Sequence, residues 1–138
     1  MSNLINLLDT YKGEKRELYP LTPSQMGVYL SCMHNPKGTM YNIPCTYVFD
    51  SGSLDTDRLI NAVRKAVDNH PVMKIFIDSS TGSPMMKPRD SVEFDIPVVQ
   101  VNNLEQAGKD FVKPFDLEKD ILFRFAVFEC GDKSMFAM

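Results

Sequence analysis

His34 and His70 are the only two histidines in the 138-residue chain, so proton transfer or metal binding by imidazole would have to use one of them. Neither has a second ligand at metal-binding spacing, and no His-Glu-x-x-His or paired-histidine motif occurs. No metal site is expected. Cys45 with His70 would supply a thiol nucleophile and a base, but nothing in the sequence brings the two within reach of each other. A structural or helix-terminal role is therefore expected for both histidines, and His70 follows an amphipathic helix whose C-terminus favours a cation. The three cysteines, Cys32, Cys45 and Cys130, form no Cys-x-x-Cys pair, and their odd number gives no disulfide framework. Three reduced thiols in a cytoplasmic protein are expected. The segment 79–83 lacks the Lys-Ser/Thr of a phosphate loop and reads as a hairpin turn. Carboxylates occur singly, and the nine methionines are expected to fill gaps in a core. Residue types and spacing alone assign no catalytic residue.

The elements that would position any site come from a single domain. Of the 138 residues, 43% are hydrophobic and 10% aromatic, which excludes disorder and allows a proper core. Fifteen basic against 18 acidic residues leave a net charge of −3. That balance argues against a nucleic-acid partner, which would select a basic surplus. No run approaches the roughly 20 apolar residues of a bilayer span, and the N-terminus does not read as a signal peptide, so no membrane association is expected.

Residues 1–18 read as a leader or linker, with an apolar cluster (Leu4, Ile5, Leu7, Leu8) followed by a charged stretch. From Tyr19 the pattern changes. Thr22 is a good N-cap and Pro23 suits a first helical turn, after which Met26, Tyr29, Leu30 and Met33 share one helical face. Ile43, Cys45, Tyr47 and Phe49 alternate as the inner face of a strand over 43–50. Asp55 caps a helix with Leu59, Ala62, Val63, Ala66 and Val67 on one side, closed by Pro71. Residues 72–77 read as a strand, 79–84 as a turn and 85–87 as a hairpin arm. Residues 94–101 read as a strand that Pro97 confines to an edge or bulge. Asn102 or Asn103 caps a helix through Leu104, Ala107, Phe111 and Val112, and 121–129 is an apolar strand. A turn at Gly131-Asp132 leads into a last strand at Met135. The order gives an α/β (α+β) fold, a mixed sheet covered by helices. A chain ending inside an apolar strand is expected to be part of something longer, with an open sheet edge at Met135–Met138 along which a second copy could pair.

Four stretches, in order, resemble the N-terminal lobe of a nonribosomal peptide synthetase condensation domain. YPLTPSQMGVYL (19–30) is similar to the family's opening helix motif, and MYNIP (40–44) to the phrase before its first core strand. GSLDTDRLINAVRKAVDNHPVMKIFI (52–77) resembles the Gly-x-Leu-Asp helix and the His-Glu/Pro-x-Leu-Arg-Thr-x-Phe segment after it. KPFDLEKDILFRFAVFE (113–129) resembles the Pro-Phe-Asp-Leu signature. The resemblance covers most of residues 19–130. It implies a chloramphenicol-acetyltransferase-like lobe over 19–138, incomplete, in which phosphopantetheine-tethered thioesters from carrier protein domains meet an amine. No cofactor bound by this chain itself is implied.

The family's His-His-x-x-x-Asp-Gly motif would follow Met138, so no catalytic residue falls in this sequence and the chain alone is expected to be inactive. Lys74 stands at the arginine position of the Leu-Arg-Thr segment, which in the family pairs with the aspartate of that motif. Lysine keeps the charge and loses the bidentate fork. Arg124, set in an apolar run, is also expected to be paired. Two other readings carry different consequences. One is a non-catalytic module that docks carrier proteins or self-associates; the other is a lobe of a related coenzyme-A-dependent acyltransferase.

Overall fold

A computed structural model describes residues 18–50 and 52–138. The leader expected over 1–18 lies outside these residues apart from Leu18. The chain runs β1 (Tyr19–Pro20), α1 (Pro23–His34), β2 (Thr46–Asp50), α2 (Thr56–Asn69), a 3-10 turn (Pro71–Lys74) and β3 (Ile75–Asp78). It continues with β4 (Met85–Pro88), β5 (Val98–Gln100), α3 (Leu104–Phe111), β6 (Ala126–Cys130) and β7 (Lys133–Ala137). These strands form two sheets, a three-stranded β1-β4-β3 and a four-stranded β2-β7-β6-β5. The mixed character expected from sequence resides in the larger sheet, where β5 and β6 are parallel and the other pairs antiparallel. A parallel pair needs a crossover, and α3 with the segment after it supplies one.

Local signals set the helix starts. Thr22 and Gln25 form a reciprocal capping box at α1, Asp55 accepts from the Arg58 amide at α2, and Asn103 accepts from Gln106 at α3. At Pro71 the chain tightens into a 3-10 turn rather than entering the strand expected at 72, and β3 starts at Ile75. Gly131, at φ 59°, adopts the left-handed conformation that a two-residue hairpin between β6 and β7 requires.

The core joins α2 to one face of the larger sheet. Val67, Ile96, Phe125, Val127 and Phe136 are buried together, with Leu59, Ile60 and Val63 of α2 packed against them. Ala62 and Ala66 of the expected inner face are exposed, and Ile60 takes their place. Aromatic rings continue the core, with Phe125 stacked on Phe136 at 6.0 Å and Phe94 edge-on to Phe123 at 5.1 Å. On the opposite face α3 buries Ala107, and Phe111 meets Phe128 edge-on.

Several expectations are corrected. In α1 Tyr29 is buried and Met26 half-buried, but Leu30 and Met33 are 59% and 48% exposed. The inner face therefore runs through Met26, Tyr29 and Cys32. β2 starts at Thr46, and Ile43 and Tyr47 are 86% and 53% exposed because β2 lies at the sheet edge. β5 starts only after Pro97, which lacks an N–H, although the Pro97 carbonyl still accepts from Val127 at 2.8 Å. β6 begins at Ala126 rather than 121. Finally, β7 is flanked by β2 and β6, so Met135–Ala137 presents no open edge for a second copy.

Candidate functional site: two apolar cavities with a common wall

The loop between α3 and β6 carries Phe115, Leu117, Leu122 and Phe123 against α1, and two cavities open beside it. The first, of about 470 Å³, lies between α1, the segment before β2 and the start of the loop. Cys32, Tyr41, Cys45, Phe111, Arg124 and Met138 are among its lining. The second, of about 590 Å³, lies between α1 and the smaller sheet and includes Leu21, Gln25, Tyr29, Ile75, Ile77 and Met86. Val28, Met73, Leu117, Leu122 and Phe123 line both. No charged side chain lines the second cavity.

A small polar cluster sits where the loop crosses α1. The Tyr29 hydroxyl donates to Glu118 Oε1 at 2.7 Å, and the Ser79 hydroxyl donates to the same oxygen at 2.5 Å. Both bonds favour the carboxylate, the Ser79 bond most, and hold Glu118 below its usual range. The same bond to Glu118 pushes the Tyr29 hydroxyl above its usual value, with burial adding to the effect. Residues 116–120 are braced on themselves. Lys119 pairs with Asp116 at 2.9 Å and lowers its pKa, and the Asp120 carboxylate accepts from the Asp116 amide at 2.8 Å.

Arg124 stands half-buried in the first cavity. Its Nη1 donates to the Phe111 and Lys113 carbonyls at 3.4 Å each, and its guanidinium lies 4.5 Å from the Phe115 ring centre. Among the described residues the cation is thus partnered by carbonyls and an aromatic face rather than by a carboxylate. Lys74 ends the 3-10 turn and is half-buried. Its Nζ donates to the Asp68 carbonyl at 3.0 Å and the Asp90 carbonyl at 2.9 Å, joining the end of α2 to the segment after β4.

This lobe architecture can be compared with known proteins. A family model described as condensation domain matches residues 15–138. The chain belongs to the condensation domain family. Bacitracin synthase 3 of Bacillus licheniformis is 32% identical over 124 residues, covering 88% of this chain and 2% of that protein. Gramicidin S synthase 2 of Aneurinibacillus migulanus is 29% identical over 125 residues, covering 88% of this chain and 3% of its own length. The chain thus spans a small part of the curated relatives it matches. Among solved structures, the starter condensation domain of rhizomide synthetase superposes with a TM-score of 0.76 at 19% identity, over 88% of this chain and 32% of that one. A holo four-domain nonribosomal peptide synthetase bound to AMP and glycine gives a TM-score of 0.77 at 17% identity, over 90% of this chain and 10% of that one. The fold is therefore the chloramphenicol-acetyltransferase-like one of condensation domains.

The condensation-domain motifs surround the cavities. The opening motif forms α1, the MYNIP phrase lines the first cavity through Tyr41, Asn42, Ile43 and Pro44, and the stretch 113–129 that carries the Pro-Phe-Asp-Leu signature gives the shared wall Leu117, Leu122 and Phe123. Cys45 lines the first cavity, but His70 does not, and the His70 ring Nδ1–H donates to the Ala66 carbonyl at 2.6 Å. The thiol and imidazole are not brought together as a nucleophile and base, and His70 closes α2 as a helix-terminal histidine. His34 lies exposed in the last turn of α1. Sequence reading missed Tyr29, Ser79 and Glu118 as a unit, because Tyr29 and Glu118 are 89 positions apart and no spacing rule links them.

Proposed function

We propose that this chain is the N-terminal part of a condensation domain that forms amide bonds during nonribosomal peptide synthesis. In that role it works on aminoacyl or peptidyl thioesters held on phosphopantetheine arms by carrier protein domains. The observation that carries the reading is the family match across residues 15–138, with the four motif stretches arranged around two apolar cavities. The chain contributes walls for the thioester-linked groups, the amine's base comes from the His-His-x-x-x-Asp-Gly motif expected after Met138 in this same lobe, and the opposite wall comes from a C-terminal lobe. Residues 1–138 hold no adjacent histidine pair, so the chain alone is expected to be inactive. A cytoplasmic setting accords with three free thiols and with the absence, among the described residues, of any helix long and apolar enough to cross a membrane.

Lys74 fits the structural pairing with the aspartate of the catalytic motif. An ammonium carries three donors, and the two carbonyls leave one for a carboxylate. Arg124 has its carbonyl and ring partners, and a contact to the motif would add to them.

The test uses the synthetase that carries this segment, incubated with two loaded carrier proteins and read by mass spectrometry. A dipeptidyl thioester is the expected product, and its absence overturns the amide-forming reading. The 138-residue chain alone should yield none, and turnover by it would overturn the assignment of the base to the histidine motif. Within the synthetase, Lys74→Ala should lower both stability and turnover; unchanged values would refute the pairing.

A further inference from the structure

The first cavity gathers two of the chain's three cysteines on its walls. Cys32 lies one helical turn after the buried Tyr29, on the inner face of α1, and meets the cavity from that side. Cys45 meets it from the segment before β2, where two backbone bonds to Met138 fix its place. Both are free thiols and half-buried, which leaves them within reach of a small molecule. Aromatic rings of Tyr41, Phe111, Phe115 and Phe123 also line the space. Among the described residues of this lining Arg124 carries the one charge, and no carboxylate occurs. At about 470 Å³ the cavity is of the size that holds a small organic ligand. It therefore offers nucleophilic sulfur, an apolar surround and one positive charge together. Cys130, also half-buried, lies at the end of β6, outside this lining.

We propose that Cys32 and Cys45 form a covalent modification site that takes an anionic low-molecular-weight disulfide. The rings and Arg124 hold the disulfide first, which raises the local concentration of its S–S bond at the thiols. The thiolate of either cysteine, its proton given to solvent, then attacks one sulfur. An S–S bond to the protein forms, the S–S bond of the ligand breaks, and the other half of the ligand leaves as a thiolate. The protein sulfur is oxidised and the departing sulfur reduced. Exchange needs only these sulfurs and no further catalytic group, and a free thiol in solution reverses it by the same route. The site goes beyond the amide-forming reading and uses none of its substrates.

The experiment uses the 138-residue chain. The probes are the dianion dithiobis(nitrobenzoate) and the dication cystamine, and peptide mass spectrometry reads the adduct on each cysteine over time. With the dianion, modification at Cys32 or Cys45 is expected to saturate as reagent is raised, because binding precedes exchange. Cys130 is expected to react in direct proportion to reagent. At low reagent the cavity thiols should outpace Cys130 about tenfold, the size of one charge-assisted contact. With cystamine that lead should vanish. Unreactive nitrobenzoate should protect Cys32 and Cys45 and leave Cys130 unprotected. The variant carrying both Cys32→Ser and Cys45→Ser should lose the saturating phase and keep the Cys130 reaction. Saturation that persists in that variant, or in the unaltered chain in concentrated urea, overturns the site. So do proportional, equal rates at all three cysteines, or a lead as large with cystamine as with the dianion. Protection by nitrobenzoate is read on the unaltered chain, so a variant that fails to fold still leaves the site open to refutation.

Discussion

Cys45 and Met138 exchange two backbone hydrogen bonds, of 2.8 and 2.9 Å. They extend the β2–β7 ladder one step beyond the Thr46–Ala137 pair in the same antiparallel register. Both residues also line the first cavity, so the last residue of the chain is fixed against the segment that leads into β2. An apolar segment that looks like a free edge in the sequence is instead the middle of a sheet.

That placement makes β7 a major contributor to stability. Phe136 is 7% exposed and stacks on Phe125. Phe136→Ala should cost about 3–5 kcal/mol, the range for truncating a buried aromatic. Val48, 57% exposed on the edge strand, should lose no more than about 0.5 kcal/mol on the same change. Urea unfolding of the two variants checks the contrast, and equal losses would contradict the strand order.

Lys74 offers a sharper case, because its two acceptors are backbone carbonyls from separate segments. Lys74→Met keeps the apolar stem and removes both bonds, at a cost of about 1–3 kcal/mol for hydrogen bonds from a charged donor. Lys74→Arg should recover only part of this, since a planar fork does not reproduce the point charge that lies between the Asp68 and Asp90 carbonyls. Thermal unfolding followed by circular dichroism reads both.

The sequence disclosed most where the signals are local. Asp55 followed by Leu59, Val63 and Val67 combines a cap with a helical period, and α2 forms there. Pro97 marks an edge strand because a missing N–H cannot be compensated from afar. Strand lengths were less legible. Ile121–Phe125 is as apolar as a strand, yet Phe125 is buried and Phe123 half-buried against rings from other segments rather than by ladder pairing. The cavities and the Tyr29–Glu118–Ser79 cluster were not legible at all. They arise from contacts such as Ser79–Glu118, 39 positions apart, that only the tertiary fold brings together.

Gly108 tests the packing of α3 on the sheet. It sits inside the helix, where glycine costs about 1 kcal/mol relative to alanine. A Cβ at this position would lie 3.6 Å from the Met135 methyl, an ordinary contact that requires no repacking. Gly108→Ala should therefore stabilise the protein by about 0.5–1 kcal/mol. At Gly131, where φ is 59°, the same change should destabilise it. Melting temperatures moving in opposite directions would confirm both placements, and a loss at Gly108 would mean that α3 lies closer to β7.

The hydrogen-bonded carboxylates and Tyr29 carry a pH signature of definite sign. Glu118, Asp116 and Asp78 all have folded pKa values below their usual ones, Glu118 chiefly through Ser79, Asp116 through Lys119 and Asp78 through Ser80. A depressed carboxylate binds fewer protons folded than unfolded. Its stabilisation is thus complete above the usual carboxylate range of about 4 and is lost as pH falls through the folded value. Tyr29 is shifted the other way, so its stabilisation is complete below the usual tyrosine value of about 10 and is lost as pH rises through the folded one. Urea midpoints measured across the pH range should decline at both ends. Tyr29→Phe should flatten the alkaline decline, because the titrating hydroxyl is gone. Glu118→Ala should shrink both limbs, since it removes one titrating carboxylate and also the main cause of the Tyr29 shift. A variant that left both limbs as steep as in the unaltered chain would show that the Tyr29–Glu118 bond does not persist in solution.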